Sequence, residues 1–153
     1  MLSQWLKRLK SNAYNHALRL LSRREHGAHE LATKLALKGY LHDDILEAIQ
    51  KCIRLELQSD ARFVENICRL RIRQGYGPVR IRKELQNLHI DNELIASALH
   101  QEKDNWLEYA ALVLEKKFKE QIELTFSAIQ KQKQFLLYRG FSTDTINMVF
   151  NNY

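Results

Sequence analysis

Apolar residues recur at intervals of three and four along most of the chain, which is the spacing of amphipathic α-helices. One pattern occurs three times, at intervals of fifty and fifty-one residues: a helix, a one-residue break, an apolar residue, a short cap and a second helix. Repetition at such a period is typical of arrays of small helical modules. The break residues are Gly39, His89 and Gly140, and the apolar residues that follow them are Tyr40, Ile90 and Phe141.

The residues at each break are suited to ending one helix and starting the next. Gly39 and Gly140 are expected to take positive φ and end their helices, and His89 takes the same place in the middle copy. The apolar residue after each break is expected to pack back on the preceding helix. Asp91 and Ser142 are the predicted N-caps of the helices that follow.

Another amphipathic helix precedes each pair, so the repeating unit has three helices. In the second unit, the predicted apolar stripe of this helix is Phe63, Ile67, Leu70 and Gln74. A unit of this size is marginally stable alone, and neighbouring units are expected to stack or pack end to end. The third unit is about seven residues longer near 119–127, which predicts a longer connection or extended helices there. The predicted organisation is an N-terminal amphipathic helix at 1–12 and three-helix repeats at 13–58, 59–101 and 102–153.

Composition agrees with an all-α fold. One proline and five glycines are too few for a turn-rich β protein, and 45% hydrophobic residues are enough for a core. Cys52 and Cys68 lie in apolar helical surroundings and are expected to be reduced core thiols. No apolar run reaches the ~18 residues of a membrane span, and the N-terminus lacks the apolar region of a signal peptide. We therefore expect a cytoplasmic protein with no membrane partner. The N-terminal helix is expected to dock on its own domain, and a membrane-surface helix is the alternative. Its predicted apolar stripe is Leu2, Trp5, Leu6 and Leu9.

The net charge of +6 and the pI near 9.4 point to an acidic partner, of which nucleic acid is the commonest. The charge is concentrated in residues 67–85, here called the basic corner, which hold six Lys or Arg residues and no acidic residue before Glu84. Gly75 and Gly77 can end a helix there, and Pro78 suits the first turn of the next. The segment is therefore a predicted helix–turn–helix corner with arginines on both arms. The apolar residues predicted to anchor these arms are Ile67, Leu70, Ile81 and Leu85.

The basic corner has two possible interpretations. Arg69 and Arg73 share one helix face, as do Arg80 and Lys83 on the next helix. None of the six basic residues of the corner is expected to have a local acidic partner. We favour a binding surface, although a solvated basic rim remains the alternative. Tyr76 could stack on a base, fill a protein pocket or pack at the corner. The candidate binding residues, including the corresponding corner of the first repeat, are Arg23, Arg24, Arg69, Arg71, Arg73, Tyr76, Arg80, Arg82 and Lys83.

Catalytic patterns are missing from the sequence. It has no P-loop, no GxGxxG, no HExxH and no GxSxG. His26 and His29 lie three residues apart, but no Cys or third His completes a ligand set, so both are predicted to be solvated surface residues. We expect no catalytic residue, no metal and no cofactor.

Three segments carry a resemblance to a known family. SRREHGAHELATKLALKGY (22–40), RIRQGYGPVRIRKEL (71–85) and FLLYRGFSTDTI (135–146) resemble the successive repeat signatures of the RecX family of recombinase regulators. The sequence departs from the family pattern at Gly27-Ala28 and at His89, which affects local turn geometry.

The resemblance implies tandem three-helix repeats in an elongated, curved, basic module without catalysis. It also implies binding to the RecA filament on single-stranded DNA, restraining ATP hydrolysis, strand exchange and filament growth. The chain is expected to act as a monomer. A general nucleic-acid-binding helical module is the alternative, and the sequence does not assign the candidate residues between RecA and DNA.

Overall fold

The structure is a computed structural model that describes residues 2–121 and 123–151, with the backbone alone described for Leu2 and residues 6–12. Within these residues the chain forms nine α-helices and no strand, so the predicted all-α fold is confirmed. The helices are α1 (Leu2–Arg23), α2 (Ala28–Leu37), α3 (His42–Arg54), α4 (Asp60–Arg73), α5 (Pro78–Asn87), α6 (Asn92–Gln101), α7 (Trp106–Phe118), α8 (Phe126–Arg139) and α9 (Thr143–Phe150).

The predicted N-terminal helix is continuous with the first helix of the first repeat, and together they form α1. Trp5, on its first turns, is exposed. The rest of the predicted apolar stripe, formed by Leu2, Leu6 and Leu9, falls on side chains outside the described part of the chain.

The chain forms two compact units. The first comprises Met1–Asn66 with Leu88–Ile90, and the second comprises Ile67–Asn87 with Asp91–Tyr153. In the first unit α1, α2 and α3 pack on one another. Their buried core consists of Ala17, Leu31, Leu35, Ile45, Ile49 and Cys52.

In the second unit α5 packs on α6, and α7, α8 and α9 pack together. Ile81 and Leu85 on α5 are fully buried, which confirms the prediction that they anchor this arm of the basic corner. Other buried side chains of this unit are Ile95, Leu99, Trp106, Ala110, Leu114, Leu136, Phe141 and Ile146.

The buried face of α4 differs from the predicted stripe of Phe63, Ile67, Leu70 and Gln74. Phe63 is buried as predicted, but Leu70 is 42% exposed, so its assignment as an anchor is wrong. The buried face is instead rotated towards Val64 and Cys68. Residues three and four apart can follow several neighbouring lines along one helix, and periodicity alone does not select the line that packs.

Both cysteines are free and buried, as predicted for core thiols. Burial, with the nearby charges of Glu102 and Glu84, raises the pKa of the Cys68 thiol to about 11. Cys68 therefore stays protonated and unreactive at neutral pH.

The helix breaks have the predicted geometry. Gly39 and Gly140 have φ of 89° and 90°, and His89 has a φ of 57° at the equivalent place. The Asp91 carboxylate and the Ser142 hydroxyl accept hydrogen bonds from first-turn N–H groups of α6 and α9, at 2.7 and 3.2 Å. These N-caps confirm the predicted starts of both helices.

In the first unit, the start of α2 packs on residues from the second repeat. A Cβ atom on Gly27 would lie 3.3 Å from side-chain atoms of Phe63 and of Ile90, the residue that follows the second break. The backbone N–H of Ala28 donates to Asp60 Oδ1 at 2.9 Å. A carboxylate therefore satisfies one of the free N–H groups at the α2 N-terminus.

In the second unit, the start of α5 packs on the third break in the same way. The backbone N–H groups of Gly77 and Val79 donate to the carbonyl oxygens of Arg139 and Gly140, at 2.8 and 2.9 Å. A Cβ atom on Gly77 would lie 2.5 Å from the backbone of Gly140, so only glycine allows this approach. Gly77 is thus required for close contact, and the left-handed residue of the corner is Gly75, with φ of 87°.

The extra length of the third repeat is divided between a connection and a helix. The segment between Phe118 and Phe126 lies outside any helix where it is described, and α8 has 14 residues against 10 in α2 and in α5. Both expectations for this region are confirmed.

His26 is 2% exposed, so the prediction of a solvated surface residue is wrong for it. Its Nδ1 lies 3.0 Å from the carbonyl oxygen of Arg24, and its Nε2 lies 3.0 Å from Lys34 Nζ. The Lys34 ammonium can only donate, so Nε2 accepts and Nδ1–H donates to the carbonyl, which makes the ring neutral. Burial lowers the pKa of His26, and the charges of Arg24 and Lys34 add to this effect.

Candidate functional site: the basic corner

The basic corner is the predicted helix–turn–helix. Helix α4 ends at Arg73, the turn contains Gly75 in the left-handed region, and Pro78 is the first residue of α5. The backbone N–H of Tyr76 donates to the Arg71 carbonyl oxygen at 2.9 Å, which satisfies a free carbonyl at the end of α4.

The third repeat holds the turn in place. Besides the two backbone hydrogen bonds of Gly77 and Val79, Arg139 Nη1 donates to the carbonyl oxygen of Gln74 at 3.1 Å. A turn fixed at its backbone keeps the side chains on both arms in a constant arrangement.

Tyr76 packs against guanidinium groups of the corner. The guanidinium carbon of Arg80 lies 3.9 Å from the ring centroid, and that of Arg139 lies 5.1 Å away. These cation–π contacts attract both guanidinium groups to the ring, so the ring is packed against its own chain. Of the roles considered for Tyr76, packing at the corner is the one that the structure contains.

Arg71 contradicts the expectation that the corner arginines have no acidic partner. Its Nε and Nη2 donate to Glu84 Oε2 and Oε1 at 2.7 and 2.6 Å, and its Nη1 donates to Gln74 Oε1 at 2.8 Å. Glu84 is thirteen residues away but lies on α5, which turns back beside α4. The two-point ion pair ties the arms of the corner together.

In the first unit, one of the two candidate arginines is paired in the same way. Arg24 makes a two-point ion pair with Glu30, with both distances 3.0 Å, and it also donates to the Glu25 carbonyl oxygen at 2.8 Å. Arg23 is exposed and makes no hydrogen bond or ion pair to any side chain that the structure describes.

Four cations of the corner remain available to a partner. They are exposed, and none makes an ion pair within residues 2–121 and 123–151. Arg80 is also exposed, although its guanidinium group lies over Tyr76. The four available cations are Arg69, Arg73, Arg82 and Lys83.

Sequence reasoning did not select Arg139, which lies beside the corner. Its guanidinium group contacts the Gln74 carbonyl and lies over the rings of Tyr76 and Phe135. Arg139 is sixty-five residues beyond Gln74, so no local sequence pattern links it to the corner. Its only distinguishing feature in the sequence is that it immediately precedes the third break.

The arrangement of the corner is suited to binding anions. Exposed arginines offer forked donors to carboxylates or phosphates. Among the described residues there is no group of three or more His, Cys, Asp or Glu able to hold a metal ion. The helices of the described part of the chain also include none long and apolar enough to cross a membrane.

Comparison with known families gives three successive matches. The first, second and third three-helix domains of RecX match residues 13–52, 59–99 and 104–150. The regulatory protein RecX of Legionella pneumophila (strain Corby) is 56% identical over 140 residues, which cover 92% of this chain and 93% of that protein. The regulatory protein RecX of Vibrio parahaemolyticus is 40% identical over 131 residues, covering 86% and 84%.

Solved structures have the same fold. The crystal structure of RecX from Lactobacillus salivarius superposes with a TM-score of 0.83 at 29% identity, covering 95% of this chain and 97% of that one. A second crystal structure of a regulatory protein RecX has a TM-score of 0.77 at 24% identity and covers 94% and 72% of the two chains. Three matched domains in order, together with relatives similar over most of their length, show that the chain belongs to the RecX family.

Proposed function

We propose that this protein is a non-enzymatic regulator that binds the RecA–single-stranded DNA filament. It inhibits the filament's ATP hydrolysis, strand exchange and growth, and it acts in the cytoplasm as a monomer. Membership of a family whose named members are regulatory proteins carries the proposal. The exposed cations of a rigid corner support it, because such a surface suits a polyanionic polymer better than a small substrate.

The cations proposed to contact the filament are those that make no ion pair to any residue that the structure describes. Arg69 and Arg73 lie on α4, and Arg82 and Lys83 lie on α5, so they project from both arms of one turn. Arg23 and Arg80 are secondary candidates. Arg71 and Arg24 are proposed to stabilise the fold and not to contact the filament, because their guanidinium groups already pair with Glu84 and Glu30.

RecA-dependent ATP hydrolysis on single-stranded DNA tests the proposal. Addition of the purified protein is expected to lower the steady-state rate in a dose-dependent manner, from substoichiometric amounts upwards. An unchanged rate at both substoichiometric and stoichiometric additions would reject the proposed function.

A second candidate function is binding of bare nucleic acid, which the net charge of +6 favours. Such a module would bind single-stranded DNA tightly without RecA, and its affinity would fall steeply as salt rises, because binding releases counterions from phosphates. Strong binding to the filament beside weak binding to bare DNA would exclude this alternative.

A further inference from the structure

A cleft in the second unit lies between the end of α4, the middle of α7 and the end of α8. Its volume is about 520 Å³. Its apolar surface comes from Ile72, Leu112, Val113 and Phe135. A Cβ atom on Gly75 would lie 3.2 Å from Val113, so the glycine allows the end of α4 to come close to α7 and shape the cleft.

One large apolar side chain of this cleft is exposed. Leu112 is 54% exposed although it lies at the centre of α7. A single exposed leucine is ordinary, but one that continues a concave apolar surface rimmed by polar groups is typical of a binding site.

The charged groups that line the cleft are all cations. They are Arg73 from α4, Lys116 and Lys117 from α7, and Arg139 from α8, and no carboxylate lines the cleft among the described residues. The occupant that complements this rim is anionic, and the apolar floor requires that it also carry an apolar group.

The aromatic groups argue against a nucleotide base as that apolar group. The Phe135 ring already has Arg139 over it, 5.2 Å from the centroid, and Phe118 packs edge-on at 5.4 Å. The Tyr109 hydroxyl donates to Glu102 at 2.7 Å. Base binding relies on an accessible ring face, whereas the floor here offers mainly aliphatic groups, which suit aliphatic side chains.

We propose that this cleft binds an acidic peptide segment of a partner protein, with a large aliphatic side chain of that segment seated against Leu112. Carboxylates beside that anchor pair with Arg73, Lys116 and Lys117. The inference rests on the proposed function, because the segment would belong to the protein component of the filament and not to its DNA. The proposed partner of this cleft is therefore a protein and not DNA.

Fluorescence anisotropy with the full chain tests the cleft directly. The probe is a short labelled peptide in which glutamates flank two leucines, and the comparison peptides replace the leucines by serines or the glutamates by lysines. The first peptide is expected to bind about tenfold more tightly than the serine peptide, about the value of one buried aliphatic side chain. It is expected to bind about tenfold more tightly than the lysine peptide as well, because the lysines are repelled by the cations of the rim. Equal binding of all three would overturn the proposal.

A pair of variants locates the binding. Leu112→Glu places a negative charge on the cleft floor and is expected to weaken peptide binding about tenfold or more. Leu137→Glu is the matched control, because Leu137 is 52% exposed on α8 and does not line the cleft. Equal effects of the two variants would overturn the proposal. A labelled oligothymidylate that binds the wild type and loses affinity in Leu112→Glu would also overturn it, because the cleft would then be a DNA site.

The same variants separate this proposal from the proposed function. If Leu112→Glu inhibits RecA-dependent ATP hydrolysis as well as the wild type does, the cleft proposal fails and the proposed function stands. If the wild type binds the peptide but leaves RecA unaffected, the proposed function fails and the cleft remains a peptide site. Inhibition lost in Leu112→Glu and retained in Leu137→Glu supports both.

Discussion

Arginines of the basic corner differ in what their guanidinium groups contact. Arg71 is partly buried and pairs at two points with Glu84, whereas Arg69, on the same helix, is exposed without an ion pair to any described residue. The pKa of Arg71 is raised, first by its hydrogen bonds to Glu84. The two residues are of one type, but the first stabilises the turn and the second is available to a partner.

Arg71→Ala is expected to lower the free energy of unfolding by about 1–2 kcal/mol, because it leaves the Glu84 carboxylate without its charged partner. Arg69→Ala is the matched control and is expected to change stability by less than about 0.5 kcal/mol. Chemical denaturation measures both. A double-mutant cycle of Arg71→Ala with Glu84→Gln should give a coupling of about 1 kcal/mol, and zero coupling would show that the ion pair is not stabilising.

His26 predicts a pH dependence of stability. Its pKa in the folded protein lies below the value of about 6.5 in the unfolded chain, so protons bind preferentially to the unfolded state. The contribution of neutral His26 to the free energy of unfolding is fully present above about pH 6.5. It is lost as the pH falls through 6.5 towards the lower pKa of the folded protein.

Urea denaturation of the wild type and of His26→Gln, at several values between pH 7.5 and 5, measures this contribution. Glutamine does not titrate, so the difference in unfolding free energy between the two proteins should shrink as the solution is acidified. A difference that is constant with pH would contradict the assignment of a buried neutral imidazole.

These residue-level features were the hardest to predict from sequence. Glu84 is thirteen residues from Arg71. Gln58, which donates to the backbone carbonyl oxygen of the buried His26 at 3.1 Å, is thirty-two residues from it. Side-chain partners are set by the packing of helices distant in sequence, and hydrophobic periodicity contains no information about such pairs.

At the scale of elements, two helix junctions require glycine for different reasons. Gly77 has the backbone of Gly140 so close that a Cβ atom would clash at 2.5 Å. Gly39 has φ of 89°, but a Cβ atom there would meet nothing within 4 Å. The first position is limited by contact between helices and the second by local backbone conformation.

Gly77→Ala is therefore expected to destabilise the protein by about 3 kcal/mol, because the start of α5 must move away from the end of α8. Gly39→Ala is the control and should cost about 1 kcal/mol through its left-handed backbone alone. Thermal unfolding followed by circular dichroism measures both, and equal losses in the two variants would contradict the close contact.

Elements were largely predictable because their signals are local. The breaks at Gly39 and Gly140, the N-caps Asp91 and Ser142 and the proline that starts α5 each act within one helical turn. The rotation of α4, which leaves Leu70 exposed, was not predictable, because the direction of burial is set by neighbouring helices. The separate role of Gly77 was hidden for the same reason.

At the scale of the whole molecule, the basic corner is the part of the candidate site that sequence could locate. A run of six cations around one proline is a local feature. Arg139 was missed because it lies sixty-five residues beyond Gln74. The cleft beside α7 was missed because separate helices form it, from residues 72–75, 109–117 and 135–139. The family's regulatory role was inferred from three repeated signatures, which composition and charge alone could not have supplied.

The available cations predict a separation of binding from stability. Arg69→Ala with Arg73→Ala removes two exposed charges, and the helical signal and thermal midpoint are expected to stay nearly intact. Filament binding should weaken about tenfold or more, because each side chain makes charge-assisted contacts that alanine cannot replace. Lys103→Ala with Lys131→Ala removes the same charge from exposed positions outside the corner and is the matched control.

Equilibrium binding to preformed RecA–single-stranded DNA filaments, assembled with a slowly hydrolysed nucleotide analogue, tests the central claim most directly. The wild type and the Lys103 and Lys131 control are predicted to bind the filament more tightly than bare DNA, and the Arg69 and Arg73 variant is predicted to lose that binding while remaining folded. Filament binding no tighter than binding to bare DNA, or an Arg69 and Arg73 variant that binds as tightly as the wild type, would contradict it.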